Sequence, residues 1–193
     1  MIHPHTELRL VNKEIGRGVF ATYFIPRGTL TWVLCELDRV FTPQQVEALP
    51  AAYHRIMDTY AYSNADGTWV MCWDWGRYMN HSCAPNTLSL SAYADVAVRD
   101  IHPGEQLTCD YGMLNLTADM ECRCGTVQCR RRIGSDDALR QAAGWDEVVR
   151  QVIPCLDQVE QPLKAFIQDS GFLDRLVKGP AELPSARTYY RAS

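Results

Sequence analysis

The amino-acid sequence predicts an α+β protein that is mainly β, and two observations support this fold class. Short, β-prone apolar segments separated by turns rich in Gly, Pro and Asn follow one another up to about residue 117. After residue 134 the apolar residues recur at helical spacing instead. A cysteine-rich stretch lies between the two parts. We therefore expect a β domain at residues 1–117, a loop at 118–133, a helical region at 134–178 and a tail at 179–193.

The first part contains several predicted strands and one predicted helix. β-branched and aromatic residues bounded by turn residues indicate strands. These cover residues 8–11, 19–22, 29–34, 68–73, 87–92, 95–98 and 106–109. The helix is expected to begin after Thr42 as N-cap, because Pro43 suits the first helical position and Gln45 completes a capping box. Pro50 is expected to interrupt its rhythm.

The helical region is expected to contain several short helices. Ser135 is the predicted N-cap of the first, which Gly144 ends, and a second runs from Asp146 to Ile153. Apolar stripes at residues 156–167 and 173–177 predict further helical segments. Because an amphipathic helix buries its apolar face, these helices cover either the β domain or a second copy of the chain. The second alternative predicts a homodimer.

Composition and charge limit the classes of function. The 193 residues are 47% hydrophobic and 22% charged, which is ordinary for a globular protein, and the net charge is −4. Direct nucleic-acid binding is not expected, since it requires a basic surface, whereas a basic polypeptide partner suits the charge. The N-terminus lacks signal-peptide features, and no apolar run has the length of a membrane span. We expect an intracellular protein without a membrane segment, in either nucleus or cytoplasm.

Eight cysteines in a protein expected to be intracellular need a reason other than disulfides. Four stand alone in apolar surroundings and are expected to be small buried residues. These four are Cys35, Cys72, Cys109 and Cys155. Cys122, Cys124 and Cys129 cluster instead, and three thiolates leave one position of a tetrahedral zinc site open. Cys83 is the best candidate for that position, because it lies in a polar stretch.

Two further segments carry residues suited to chemistry. Residues 77–86 place an amide, an imidazole, a hydroxyl and a thiol at consecutive positions from Asn80 to Cys83, and a Pro-Asn turn follows. Such a run contributes little to a core and suits a functional site. Gly16-Arg17-Gly18, between two predicted strands, is a turn at which the backbone can approach a ligand closely. It lacks the third glycine of a dinucleotide-binding fingerprint.

Four motifs occur in one order: Gly16-Arg17-Gly18, Arg77-Tyr78-Met79-Asn80-His81-Ser82-Cys83-x-Pro85-Asn86, Gly104-Glu105-Gln106-Leu107-Thr108-Cys109-Asp110-Tyr111, and Cys122-x-Cys124-x4-Cys129. Together they resemble the SET-domain protein-lysine N-methyltransferases that carry a post-SET zinc loop. The resemblance covers residues 7–133, and the helical region lies outside it.

The resemblance implies a SET-domain (β-clip) fold, with a segment threaded as a pseudoknot and an insert at residues 42–72. It implies a catalytic tyrosine, Tyr111, at a site for S-adenosylmethionine. The residues implied to bind that cofactor are Gly16, Arg17, Gly18, Asn80, His81 and Tyr111. Those implied to hold Zn²⁺ are Cys83, Cys122, Cys124 and Cys129. The implied substrate is a protein or peptide that presents a lysine, such as a histone tail.

Two departures from the family's pattern concern the substrate channel. Residues 32–37 lack the second active-site tyrosine that the family often carries there. The polar network around the substrate amine is therefore either thinner or drawn from Tyr60 or Tyr62. Cys109 and Ser89 stand where relatives place a Phe or Tyr that limits methylation, and both residues are small. This predicts a roomy channel that accepts di- or trimethylation.

Two other classes of function are open to a chain with these motifs. One is a catalytically silent SET-like module that binds a peptide or partner, which the missing strand tyrosine favours. The other is a zinc-binding structural protein. The intact Asn80-His81 and Asp110-Tyr111 pairs favour a protein-lysine N-methyltransferase, since a silent module needs neither pair.

Overall fold

The structure is a computed structural model that describes residues 1–116, 118–169, 171–179 and 183–189. Helices α1–α4 are Pro43–Glu47, Ala51–Tyr60, Asp137–Val152 and Phe172–Lys178. Strands β1–β12 are Thr6–Asn12, Gly16–Ala21, Leu30–Val33, Arg39–Phe41, Ala61–Ser63, Trp69–Met71, Asn80–His81, Thr87–Ser91, Ala94–Ala97, Thr108–Cys109, Met120–Glu121 and Arg132–Ile133. Short 3-10 helices lie at Trp75–Tyr78, Tyr111–Met113, Ile153–Cys155, Lys164–Phe166 and Ala186–Tyr189. The predicted α+β class is confirmed, and part of the predicted tail lies outside the described residues.

Small sheets make up the first part of the chain, as its short apolar segments predict. Within the described residues the strands form five sheets, in the orders β1-β2, β3-β9-β8, β4-β6-β5, β7-β10 and β11-β12. The sheet β4-β6-β5 and helices α1 and α2 form the insert. The predicted capping box of α1 is present, with Thr42 and Gln45 bonded reciprocally, and Pro50 separates α1 from α2.

One sheet joins segments that are distant in sequence. Strands β7 and β10 are parallel, with Asn80 beside Thr108 and His81 beside Cys109. The side chain of Asn86 holds the same two segments together, because it accepts from the Thr108 amide at 2.8 Å and donates to the Gln106 carbonyl at 2.8 Å. This crossing of distant segments is what the pseudoknot of the SET fold requires.

The C-terminal helices cover the β domain, which is one of the two alternatives that the sequence left open. Leu30 and Val33 of β3 and Leu90 of β8 share a buried cluster with Trp145 and Val149 of α3. The Gln161 side chain fixes the contact by accepting from the Leu30 amide at 2.9 Å. A second buried cluster, around Val19, Ile25, Val70 and Leu107, lies beneath β1, β2 and the parallel pair.

The prediction that Gly144 ends a helix is wrong. Helix α3 runs without a break from Asp137 to Val152, and Gly144 lies on its exposed side. A glycine inside a helix costs about 1 kcal/mol relative to alanine. The burial of Ala142, Trp145 and Val149 on the opposite side of the same helix outweighs that cost.

Two other helix predictions in this region are wrong in detail. Ser135 is not the N-cap of α3; the carboxylate of Asp137 accepts from the Gly134 amide at 3.0 Å instead. Residues 156–167 form turns and a short 3-10 helix rather than an α-helix, because Pro162 lies inside the stretch and has no amide hydrogen for a helical hydrogen bond. The helix expected at residues 173–177 is present as α4. Within the described residues, no helix combines the length and the apolar character that crossing a bilayer requires.

Candidate functional site

Tyr111 follows β10, and its hydroxyl is held in one orientation. The Asp110 carboxylate accepts from the Gly112 amide at 3.0 Å and so starts the 3-10 helix that carries Tyr111. The Tyr111 hydroxyl donates to the carbonyl oxygen of Met79 at 2.9 Å. Burial raises the pKa of this phenol above its ordinary value. Tyr111 is therefore a neutral, oriented hydroxyl at neutral pH.

Asp110 joins three elements behind Tyr111. The Arg130 guanidinium donates to both carboxylate oxygens, at 2.7 and 2.5 Å, and the Trp145 indole donates to one of them at 3.2 Å. Asp110 is only 1% exposed, and a carboxylate so buried needs partners of this kind. Sequence reasoning did not identify Arg130 or Trp145. The available signal was the position of Arg130 directly after Cys129.

The Gly16-Arg17-Gly18 segment lies against Asn80, and the resemblance implies that both bind the cofactor. The Asn80 amide donates to the Arg17 carbonyl at 3.0 Å. A Cβ added at Gly18 would lie 2.8 Å from the Asn80 amide nitrogen and 2.5 Å from that of Gln106. Only glycine permits this approach. The Gln106 amide nitrogen is buried and has no hydrogen-bond partner within the described residues, so this cradle fits a ligand with polar groups, such as S-adenosylmethionine.

The predicted zinc ligands come together beside β7. Cys83 Sγ lies 3.7 Å from Cys122 Sγ, which lies 3.6 Å from Cys129 Sγ. Zn–S bonds of about 2.3 Å separate two sulfur atoms of a tetrahedral site by about 3.8 Å, so both distances fit zinc. Burial acts to raise the pKa of Cys124, but hydrogen bonds, first that with the Thr126 hydroxyl at 3.2 Å, lower it to about 6. The thiolate is the form that binds a metal.

His81 also lies at this cluster, and sequence reasoning had placed it only at the cofactor. Ligand atoms of His81, Cys83, Cys122 and Cys124 all lie within 4.8 Å of one another, a set that does not contain Cys129. His81 Nδ1 accepts from the Tyr111 amide at 3.1 Å, so a neutral ring carries its proton on Nε2. That nitrogen lies 3.3 Å from Cys83 Sγ. In this tautomer His81 is a donor to Cys83, and Cys129 stays the predicted fourth ligand.

Tyr111 also lines a cavity of about 490 Å³. Its walls come from the insert, from β8 and β9, from Tyr111 and from the segment at residues 183–189. Tyr60 and Tyr62, the two candidates for a second active-site tyrosine, both line it, as do Ser89 and Cys109. The Tyr62 ring packs edge-on against Trp32 with centroids 5.9 Å apart. The cavity therefore has aromatic walls, and the two small residues from which the sequence predicted a roomy channel, Ser89 and Cys109, both line it.

The chain is similar to histone-lysine N-methyltransferases from a plant, an insect and a yeast. It is 36% identical over 95 residues to ASHH3 of Arabidopsis thaliana, covering 44% of this chain and 26% of that protein. It is 32% identical over 144 residues to ash1 of Drosophila melanogaster, covering 65% and 6%. It is 28% identical over 152 residues to the H3 lysine-9 specific enzyme of Schizosaccharomyces pombe, covering 61% and 31%. The chain thus spans less than a third of each of these relatives.

The family comparison covers the motifs that build the site. Residues 16–112, just over half of the chain, match the family model for the SET domain. The matched part begins at the glycine turn, contains both strands of the parallel pair and ends beside Tyr111. The cysteine loop and the helical region follow it. The chain belongs to the SET domain family.

Proposed function

We propose that this protein transfers methyl groups from S-adenosylmethionine to lysine side chains of a protein substrate such as a histone tail. The observation that carries the proposal is the position of Tyr111. Its hydroxyl is fixed on the carbonyl of Met79, whose neighbour Asn80 contacts the glycine turn, and Met79 and Tyr111 both line the aromatic cavity. Membership of the SET domain family and the names of the relatives support the same activity.

The cofactor side of the proposed site consists of Gly16, Arg17, Gly18, Asn80 and His81, with Tyr111 at its edge. S-adenosylmethionine supplies a methyl group on a positively charged sulfonium. The side-chain amide nitrogen of Gln106, for which the described residues offer no hydrogen-bond acceptor, is a further donor toward polar atoms of that ligand. The absence of a side chain at Gly18 lets the amides of Asn80 and Gln106 pack directly against β2.

The substrate side of the proposed site is the aromatic cavity. Only a neutral lysine amine has a lone pair to accept a methyl group, and the ordinary lysine pKa is about 10.4. Apolar walls such as Trp32 favour the neutral amine by desolvation. The fixed Tyr111 hydroxyl and the Met79 carbonyl beside it orient the amine, and positioning of this kind accounts for much of enzymatic acceleration.

The metal site is proposed to hold one Zn²⁺ through Cys83, Cys122, Cys124 and Cys129. Such an ion acts structurally, because four protein ligands leave no coordination position for a substrate. It would tie the loop at residues 118–133 to β7 directly beside His81. The shape of the site behind Tyr111 would then depend on the metal.

The test is methyl transfer by the purified chain to a mixture of core histones, with S-adenosylmethionine labelled on its methyl group. We expect label on protein with the wild type and a rate lower by on the order of 100-fold with Tyr111→Phe, because the orienting hydroxyl is lost. Tyr53→Phe is the matched control, since Tyr53 is 52% exposed on α2 and lies outside the cavity.

Two outcomes would count against the proposal. Equal rates for Tyr111→Phe and Tyr53→Phe would remove Tyr111 from the reaction. Absence of transfer to any histone or extract protein, with S-adenosylmethionine still bound, would instead favour a silent binding module.

A further inference from the structure

A carboxylate of β9 faces the aromatic cavity that is proposed to receive the substrate. Asp95 lines this cavity together with Tyr62, Cys109 and Tyr111. The residues next to it on the strand, Ala94 and Val96, are fully buried, whereas the Asp95 side chain is only half-buried. A ligand in the cavity can therefore reach this carboxylate.

Within the described part of the chain, no Lys or Arg side chain forms an ion pair with the Asp95 carboxylate. Within the described residues its one hydrogen bond comes from the Ser89 hydroxyl, which donates to Oδ1 at 2.7 Å across the β8–β9 pair. Burial raises the pKa of Asp95 to about 6, although the Ser89 bond and the amino terminus act to lower it. At pH 8 the group is still ionised. A charge held this way among apolar walls is costly unless a counter-charge approaches it.

The amino terminus is a cation that acts on Asp95, but it pairs with Asp38 at 3.3 Å. The side chains around Asp95 do not supply a counter-charge either. The pKa values of Tyr62, Cys72 and Cys109 are all raised. Burial is the largest cause for each of them, and the charge of Asp95 is a further cause. All three are therefore neutral at neutral pH. Arg77 also lines the cavity, but it donates to the Cys72 carbonyl at 3.4 Å and lies over the Tyr78 ring.

We propose that Asp95, oriented by Ser89, binds the terminal ammonium of the substrate lysine inside the cavity. The inference rests on the proposed function, because it identifies the cavity as the lysine channel. It concerns the first binding of the ammonium, which is the form of lysine present in solution at neutral pH; the bound lysine must then lose a proton before it can accept a methyl group. Asp95 would then select a cationic side chain over a neutral one of the same length, through a charge-assisted hydrogen bond.

The probe for this site is n-butylammonium, compared with n-butanol as its neutral isostere, in ligand-observed NMR titrations at constant ionic strength. We expect the wild type to bind n-butylammonium about tenfold more tightly than n-butanol, and Asp95→Asn to lose this preference. Asp157→Asn makes the same change of charge at an exposed turn outside the cavity, and it should retain the preference for n-butylammonium. An equal preference in Asp95→Asn, or no preference in the wild type up to the solubility limit, would overturn the proposal.

A second readout does not depend on any ligand. The pKa of Asp95 is higher in the folded protein than its ordinary 3.8, so its ionisation destabilises the fold as pH rises through about 4 to 6. Asp95→Asn should therefore raise the melting temperature at pH 8, and raise it less at pH 5. A structural role for the carboxylate predicts a lower melting temperature at pH 8, and that result would contradict our proposal.

These results can be separated from failure of the proposed function. If the wild type transfers no methyl group but n-butylammonium binding still depends on Asp95, the enzymatic proposal fails and the cation site stands. If methyl transfer proceeds equally in Asp95→Asn and Asp157→Asn at limiting substrate, the enzymatic proposal stands and the role of Asp95 fails.

Discussion

At the scale of single residues, Asn86 shows how one side chain can hold a knotted backbone. It is 1% exposed, and its amide both accepts from Thr108 and donates to Gln106. Aspartate has no donor and leucine has neither group, so neither could make both bonds. From the sequence we interpreted Pro85-Asn86 as a turn. This interpretation explains the backbone conformation but not the two hydrogen bonds that the Asn86 side chain makes.

Gly18 is the residue at which the cofactor side of the site can be tested most simply. Gly18→Ala places a Cβ within 2.8 Å of the Asn80 amide and closer still to Gln106. Both side-chain ends can move, so we expect the fold to persist while S-adenosylmethionine binding weakens by about tenfold. Isothermal titration calorimetry with S-adenosylmethionine measures the change.

Gly144→Ala is the matched control, since nothing lies within 4 Å of the added Cβ in α3. It should leave the affinity unchanged and stabilise the fold by about 0.5–1 kcal/mol, because alanine is the better helix former. An unchanged affinity in Gly18→Ala would contradict the assignment of the glycine turn to the cofactor.

The residues that the sequence could identify are those whose chemistry is unusual for their local setting. Cys83 could be identified because its thiol lies in a polar run. The turn at residues 16–18 could be identified because two glycines flank an arginine. Asp95, Arg130 and Trp145 could not be identified in this way. Their importance comes from partners far along the chain, such as the pairing of Arg130 with Asp110.

At the scale of elements, the cysteine loop supports the segment that carries Tyr111. Its Arg130 amide donates to Cys83 Sγ at 3.3 Å, and the guanidinium of the same residue pairs with Asp110. Helix α3 reaches the same carboxylate through Trp145. A change in the loop is therefore transmitted to Tyr111 through a buried ion pair, which is costly to break.

Metal analysis of cysteine variants tests this loop. We expect about one zinc per wild-type chain and loss of that zinc in Cys129→Ser, because three thiolates alone leave the tetrahedron incomplete. His81→Asn should retain the metal, since His81 acts as a donor to Cys83. Cys155→Ser, in the 3-10 helix Ile153–Cys155 and outside the cysteine cluster, is the control. Full retention of zinc in Cys129→Ser, with loss in His81→Asn, would show that His81 is the fourth ligand.

The helical elements also show where local sequence signals fail. The capping box at Thr42 is a local signal, and it was sufficient to place α1. The end predicted at Gly144 relied on local signals as well, but the burial of one face of α3 overrode the glycine. Local sequence signals therefore predicted correctly where a helix begins in the exposed insert. They did not predict where a helix that packs against the core ends.

At the scale of the whole molecule, the proposed site lies where the two buried clusters meet. Met79 and Cys109 belong to the cluster around the parallel pair, whereas Met113 and Trp145 belong to the cluster beneath α3. The segment at residues 183–189 adds Pro184 and Thr188 to the cavity wall and is held by Asp146. The C-terminal tail, which Asp146 of α3 holds in place, therefore contributes directly to the cavity, although no motif in its sequence indicated this.

The most direct test of the account is tandem mass spectrometry of a histone methylated by the wild-type chain. We predict that the added methyl groups lie on lysine Nζ and that dimethyl- or trimethyllysine forms, because Ser89 and Cys109 leave the cavity roomy. Products that stop at monomethyllysine would contradict the predicted room in the channel. Methyl groups found on another residue type, and none on lysine, would contradict the central claim.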